Sequence, residues 1–417
     1  MNPACGVEAE GEAPNPEPFQ KFMEAQFMHN ISLAPSVSRV APSQIRAIAD
    51  VAFPMDGVLK LHFGESNRQT PQYLKDAAYQ AMNDGYTFYS ENAGLPSLRE
   101  AIAGKYAELH QIDVNPTDEI VITASGVQAL NVTIRCVIDP GDEALVLTPN
   151  WPNGSAIVSL FGGYPKEIPL VWKGGRYEID FVALEKALTS KTRLLIYASP
   201  SNPLGWVASP VEQQALLDFC RRNKLWLLAD EVYERIYYNG AVAPSILRLC
   251  TRDDAVIVVQ SFSKSYCMTG WRLGWVVARR DLVKQATQLN EFIVSHAPSM
   301  IQRAGETALK QGEEEVSAMV KSLHEKVSFC FEALVSMPGV TVARPEGAFY
   351  LFPQIEGVDD SFSFALTLLE ETKVAVAPGI AFGNGGEGAI RLCCAAEMSV
   401  LKEAMERFGN FLVKRCN

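Results

Sequence analysis

Short apolar runs recur through the middle of the chain, separated by amphipathic stretches. The runs are EIVIT (119–123), EALVLT (143–148), RLLIYA (193–198), LWLLAD (225–230), AVIVVQ (255–260) and GWVVA (274–278). Each is too short for a helix and rich in branched apolar residues, which reads as a buried strand. LKDAAYQAMNDG (74–85) and SLREAIAGKYAELH (97–110) have the 3.6-residue spacing of helices, the first ended by glycine and the second with Ser97 and Glu100 at capping-box spacing. FVALEKALT and PVEQQALLDFCRRN place further helices between strands. Strands that are apolar throughout and alternate with helices predict an α/β fold, a mostly parallel sheet sandwiched by helices.

After about residue 300 the pattern changes to long helical segments, then GVTVARPEGAFYLFP, VAVAP and AIRLCCA. This predicts a smaller α+β domain over 306–417, completed by 28–71, beside a large domain over 72–305. Residues 1–27 are rich in Glu and Pro with little periodicity, and are expected to be a mobile arm.

Composition narrows the function classes. The 417 residues carry a net charge of −11, with 48% hydrophobic and 20% charged residues. A nucleic-acid or anionic-membrane partner needs a basic face, so neither is expected. The longest uncharged stretch, 144–165, is broken by Pro149, Pro152 and Gly154, which excludes a membrane span there. Nine cysteines without CxxC or other metal-ligand spacing predict buried thiols in a reducing compartment and no metal site. With no secretory pattern at the N-terminus, the expected location is the cytoplasm.

In open α/β sheets ligands bind beyond the carboxyl ends of the strands. The polar residues there are Ser125-Gly126, Asn150-Trp151, Ser199 to Asn202, Asp230, and Ser261 to Lys264. GNGGEG (383–388) matches the dinucleotide fingerprint G-x-G-x-x-G, but it leads into a strand-like run rather than a helix and reads as a turn. An aspartate closing an apolar strand, as in LLADEVY, either caps a helix or faces a buried cation. A lysine at the mouth of another buried strand, in SFSKSYCMTGWRLGW, is either solvated or chemically used. Together they suit pyridoxal phosphate, whose protonated ring nitrogen wants a carboxylate and whose carbonyl condenses with a lysine. ASGVQAL (124–130) puts small residues at a strand-to-helix junction, a cradle for phosphate, and Ser261, Ser263 and Arg272 add hydroxyls and a forked cation.

The chain resembles the class I/II aminotransferases, the fold-type-I pyridoxal phosphate enzymes. YSENAGLPSLREAIA, SPSNPLGW, ADEVYE, SFSKSYCMTGWRLG, PEGAFYLF and PGIAFGNGGEGAIRL match that family's motifs in order and spacing, over about residues 60–400. The resemblance implies that Lys264 holds the cofactor as a Schiff base and shuttles a proton, that Asp230 keeps the pyridine nitrogen protonated, and that Tyr233 and Asn202 hydrogen-bond the phenolic oxygen. It implies that Trp151 stacks on the ring and that Ser125, Gly126, Val127, Ser261, Ser263 and Arg272 hold the phosphate. Tyr89 would reach the phosphate of a neighbouring subunit, implying a homodimer with shared active sites. Arg391 would clamp the substrate α-carboxylate, with the Gly64 backbone nearby.

The sequence also departs from the family pattern. Leu204 replaces a turn threonine, GESN (64–67) replaces G-E-P-D, and Val127 stands where many aspartate-using relatives carry a lysine for the distal carboxylate. Arg68 and His296 are candidate replacements, though each reads first as a surface or loop residue. The expected reaction is transfer of an amino group from an L-amino acid to a 2-oxo acid, 2-oxoglutarate first, with ping-pong kinetics. Apolar and aromatic residues outnumber charges near the expected pocket, which favours aromatic or large aliphatic donors. The alternatives are a β-lyase, a cyclopropane-forming synthase or a decarboxylase on the same fold, and more remotely a non-catalytic cofactor-binding sensor.

Overall fold

A computed structural model describes residues 35–38 and 40–416. The expectation for residues 1–27 lies outside them. The main sheet has seven strands: β1 Ile120–Thr123, β2 Glu143–Thr148, β3 Tyr164–Pro169, β4 Thr192–Ala198, β5 Trp226–Asp230, β6 Val256–Ser261 and β7 Gly274–Ala278. Their spatial order is β1-β7-β6-β5-β4-β2-β3, with β7 antiparallel to both neighbours and the other pairs parallel.

The strands are apolar throughout because both faces are buried. Ile122, Leu145, Leu195, Leu227 and Val258 face one core, with Leu98, Leu216 and Phe219. Val121, Val146, Ile196, Leu228 and Val259 face the other, with Leu130 and Leu282. At roughly 1.5–3 kcal/mol for each fully buried apolar side chain, this frame is stiff enough to hold strained residues at its edge.

Strand β3 escaped the sequence pattern. It is one of the two edge strands, and YPKEIP carries two prolines and a charge pair, tolerable where one side of the strand needs no partner. The capping box expected at Ser97 and Glu100 is not formed. Pro96 opens that helix, and the Ser97 hydroxyl instead donates to Glu306 at 2.8 Å. A true capping box joins Ser209 and Glu212 at the start of Pro210–Asn223. GNGGEG is a turn, as expected, with left-handed glycines at 383, 385 and 388.

The chain's two ends share a separate core. Helix α1 (Gln44–Ala52) buries Ile48 and Ala52 with Leu61, Phe349, Val374, Leu392 and Phe408. Leu59–Lys60 pairs in parallel with Val374–Ala375. Beside it, β8 (Tyr350–Leu351), β9 (Ala377–Pro378) and β10 (Ile390–Cys393) form an antiparallel sheet in the order β8-β10-β9. Among the described residues no helix is long and apolar enough to cross a membrane.

Candidate active site

The carboxyl ends of the sheet strands and the second core enclose a cavity of about 550 Å³. Gly274, the first residue of β7, lies opposite both Thr123 and Ser261, so three strand ends converge there. A Cβ on Gly274 would come within 2.6 Å of the Ser125 carbonyl carbon and 2.7 Å of the Gly126 nitrogen and the Gln260 oxygen. Only glycine permits that approach. Ser125 itself sits at φ 108°, a strain of about 1–3 kcal/mol. That conformation turns the chain into helix α2 (Gly126–Val137), whose first turn faces the cavity with Gly126 and Val127.

Lys264 follows β6 in a single helical turn, Phe262–Ser265. Its Nζ donates to the Gly64 carbonyl at 2.6 Å. Burial pulls its pKa down to about 8, helped by Arg391 and Arg272 and opposed by Cys393 and Glu65. Much of the amine is therefore neutral near pH 8, the form a nucleophile requires. Asp230, at the end of β5, caps no helix; its carboxylate accepts from the Val232 N–H at 3.2 Å. Burial raises its pKa to about 6, against the Val232 N–H and the Lys264 charge, so it is ionised at neutral pH.

Ser261 and Ser263 are linked by their hydroxyls at 2.9 Å, and Ser261 also donates to the Leu273 carbonyl at 3.3 Å. Arg272 is left-handed at φ 56° and donates from Nη1 to the Thr269 carbonyl at 2.6 Å, while still lining the cavity. The Tyr233 and Tyr350 hydroxyls share a hydrogen bond of 2.6 Å. Trp151 and Asn202 also line the cavity.

Arg391 is 2% exposed. Nη1 donates to Asn202 Oδ1 at 3.3 Å, Nη2 donates to the His62 carbonyl, and Nε has no partner. The Tyr350 and Phe382 rings lie 4.7 and 5.2 Å from the guanidinium. Among the described residues no carboxylate pairs with it, so the buried cation is neutralised only by an incoming anion.

Of the residues expected in the site, Tyr89 and Ser125 do not line the cavity: Tyr89 is 90% exposed and packs edge-on to His296 at 5.9 Å, and the buried Ser125 hydroxyl accepts from the Gln128 N–H at 3.2 Å. Neither Arg68 nor His296 lines the cavity, whereas Arg46, His62, Phe63 and Tyr350 do. The family-like segment PEGAFYLF contains Tyr350, so its presence could have been found; Arg46 and His62 lie where nothing in the sequence singles them out.

A buried lysine, a carboxylate ending one strand, hydroxyls and an arginine around a glycine-opened helix turn, and an unpaired arginine fit pyridoxal phosphate together with a carboxylic substrate. The family model for aminotransferase class I and II matches residues 57–408, and the chain belongs to that family of enzymes, which in general use pyridoxal phosphate. It is 36% identical over 383 residues to the putative aminotransferase YugH of Bacillus subtilis, covering 92% of this chain and 98% of that one. It is 33% identical over 396 residues to an aspartate aminotransferase of Geobacillus stearothermophilus, covering 92% and 100%. An aromatic aminotransferase from Pyrococcus horikoshii superposes with a TM-score of 0.82 at 34% identity, over 88% of this chain and 99% of that one.

Proposed function

We propose that this aminotransferase moves the amino group of an L-amino acid, aromatic or large aliphatic by preference, to 2-oxoglutarate in two successive half-reactions at one site. The observation that carries the reading is the gathering of a largely neutral buried amine, an ionised Asp230 and an anion-seeking Arg391 in one cavity. The preference for apolar donors rests on Ile45, Phe63, Trp151 and Tyr350 in the wall.

When bound, pyridoxal phosphate supplies the carbonyl that takes up the amine and the ring that accepts electrons from the substrate Cα–H bond. Lys264 would hold the cofactor at rest and, once released, would move the proton at Cα. The ionised Asp230 would accept from the ring N–H and keep it protonated. Tyr233 and Asn202 would donate to the phenolic oxygen, Trp151 would cover the ring, and Ser125, Gly126, Val127, Ser261, Ser263 and Arg272 would hold the phosphate. Arg391 fixes the α-carboxylate, with Gly64 beside it, which sets the Cα–H bond towards Lys264.

The same reading assigns residues 72–305 to a large domain and 28–71 with 306–417 to a small one, in keeping with the two groups of cores. It includes a homodimer in which Tyr89 reaches the neighbouring site, supported by the exposed Tyr79, Phe88, Tyr89, Phe292 and Ile293. The cytoplasm is the location it implies.

The test is the visible absorption of the loaded protein before and after a panel of L-amino acids, with no oxo acid present. Loss of the cofactor band with release of one equivalent of 2-oxo acid, restored by 2-oxoglutarate, is the expected result. A band that survives while pyruvate, ammonia or carbon dioxide accumulates would make this chain a lyase or decarboxylase. A band that responds to no amino acid would make it a sensor.

A further inference from the structure

We propose that Glu167 is a positioning residue for substrate binding: from the edge strand β3 it grips the tip of the β9–β10 hairpin and so sets where Arg391 stands in the cavity. The inference rests on the proposed role of Arg391 in taking the α-carboxylate.

Arg391 is the second residue of β10, and Ala377 of β9 lies opposite it. The loop that joins these strands is bonded to itself. The Gly379 N–H donates to the Ala389 carbonyl at 2.9 Å, the Gly383 N–H to that of Ile380 at 3.1 Å and the Gly386 N–H to that of Gly383 at 3.0 Å. A Cβ on Gly379 would run into the Gly386 carbonyl, and one on Gly386 into that of Gly379. Segments packed this closely transmit displacement and move as one body with the strands they join. Phe382 belongs to the same loop, and its ring lies 5.2 Å from the Arg391 guanidinium.

Glu167 holds that body from outside. Its Oε2 accepts from the Asn384 N–H at 2.9 Å, and its Oε1 accepts from the Ser155 hydroxyl at 3.1 Å. Bonds to a carboxylate are about twice as strong as bonds between neutral groups. Gly383 lies so near that an added Cβ would meet the carboxylate at 2.8–3.0 Å, and one on Gly385 would meet Pro169 of β3 at 3.1 Å.

The other end of the grip lies on the cofactor side. Ser155 belongs to the helix Asn153–Leu160, which begins two residues after Trp151, and the Asn150 N–H donates to the Phe382 carbonyl at 2.9 Å. One carboxylate thus ties the wall carrying Trp151 to the hairpin carrying Arg391. Glu167 does not itself line the cavity, so it acts only through what it holds.

The experiment measures binding of 3-phenylpropionate and of its uncharged amide, neither of which reacts, to the pyridoxal phosphate-loaded full chain by calorimetry. Glu167→Ala is expected to weaken the acid roughly 10-fold, because a displaced clamp loses its alignment, and the amide and the cofactor each less than about twofold. Glu167→Gln keeps an oxygen for Asn384 and a polar partner for Ser155, and recovers most of the acid affinity. Ser155→Ala, a milder loosening, weakens the acid about two- to fourfold and decides by the same criterion if Glu167→Ala does not fold. Equal weakening of acid and amide, acid affinity like that of the parent, or no recovery in Glu167→Gln overturns the proposal. Arg391→Met tests the underlying reading separately. It is expected to abolish the parent's preference for the acid over the amide, and if that preference survives, Arg391 does not take the carboxylate, whatever Glu167 does.

Discussion

Gly274→Ala places a methyl group against three backbone atoms at 2.6–2.7 Å, none of which belongs to a side chain that could rotate away. Relief requires β7 to move from the Ser125–Gly126 turn or that turn to move from β6. Overpacking of this kind costs about 1–3 kcal/mol, and the cost appears in the cofactor-free chain. The displaced turn is also the proposed phosphate cradle. Losing one hydrogen bond to a charged group there is worth about 1.5–3 kcal/mol, or roughly 10- to 100-fold in cofactor affinity. Two measurements check this: the thermal midpoint without cofactor, and the cofactor dissociation constant by fluorescence titration. Gly104→Ala is the control. It lies within the helix Pro96–His110, where an added Cβ meets nothing within 4 Å, and should stabilise by about 0.5–1 kcal/mol. A Gly274→Ala protein with the stability and cofactor affinity of the parent would refute the reasoning that glycine is required by close approach at this junction.

Lys264→Ala should still bind cofactor noncovalently yet lose at least about 100-fold in the half-reaction, read by single-turnover absorbance, since it removes the base at Cα. For the parent chain, the rate of covalent cofactor capture should rise with pH through about 8 and then level, because deprotonation of Lys264 creates the reactive amine; a rate still climbing at pH 10 would contradict that assignment. The folded pKa of Asp230 is raised from 3.8 to about 6, so stability falls as pH rises through that window and the penalty is complete above it. Asp230→Asn should therefore stabilise the cofactor-free chain at pH 7.5 by about 1–2 kcal/mol while losing most activity, as paired melting and steady-state assays would show. Arg391→Met should reduce kcat/KM about 30-fold or more for mono- and dicarboxylic substrates alike, as steady-state assays with both would show.

The cofactor side of the site was legible because it lies at the ends of strands buried on both faces. Asp230 and Lys264 stand out against such runs, and the parallel-sheet rule says where to look. The substrate side was harder to read. Arg391 is conspicuous in AIRLCCA, but Arg46 lies on an ordinary amphipathic helix and reaches the cavity only because α1 packs with β10 in one core. Nothing in the sequence marks His62, and only the absence of partners for its ring nitrogens does. The edge strand β3 was hidden by its prolines, and Ser97 was drawn from its expected cap by Glu306, a partner more than two hundred residues away.

The cavity is walled by two stretches of chain with different duties. On the proposed reading, lining residues between 126 and 272 hold the cofactor, and lining residues near 43–64 and 350–391 face the substrate. Selectivity can therefore drift without disturbing the reaction, through changes confined to the chain's two ends. Lys264 spans the divide, its amine resting on the Gly64 carbonyl of the other side. If Lys264 is the reactive amine, as proposed, a change in that wall reaches it through this one hydrogen bond.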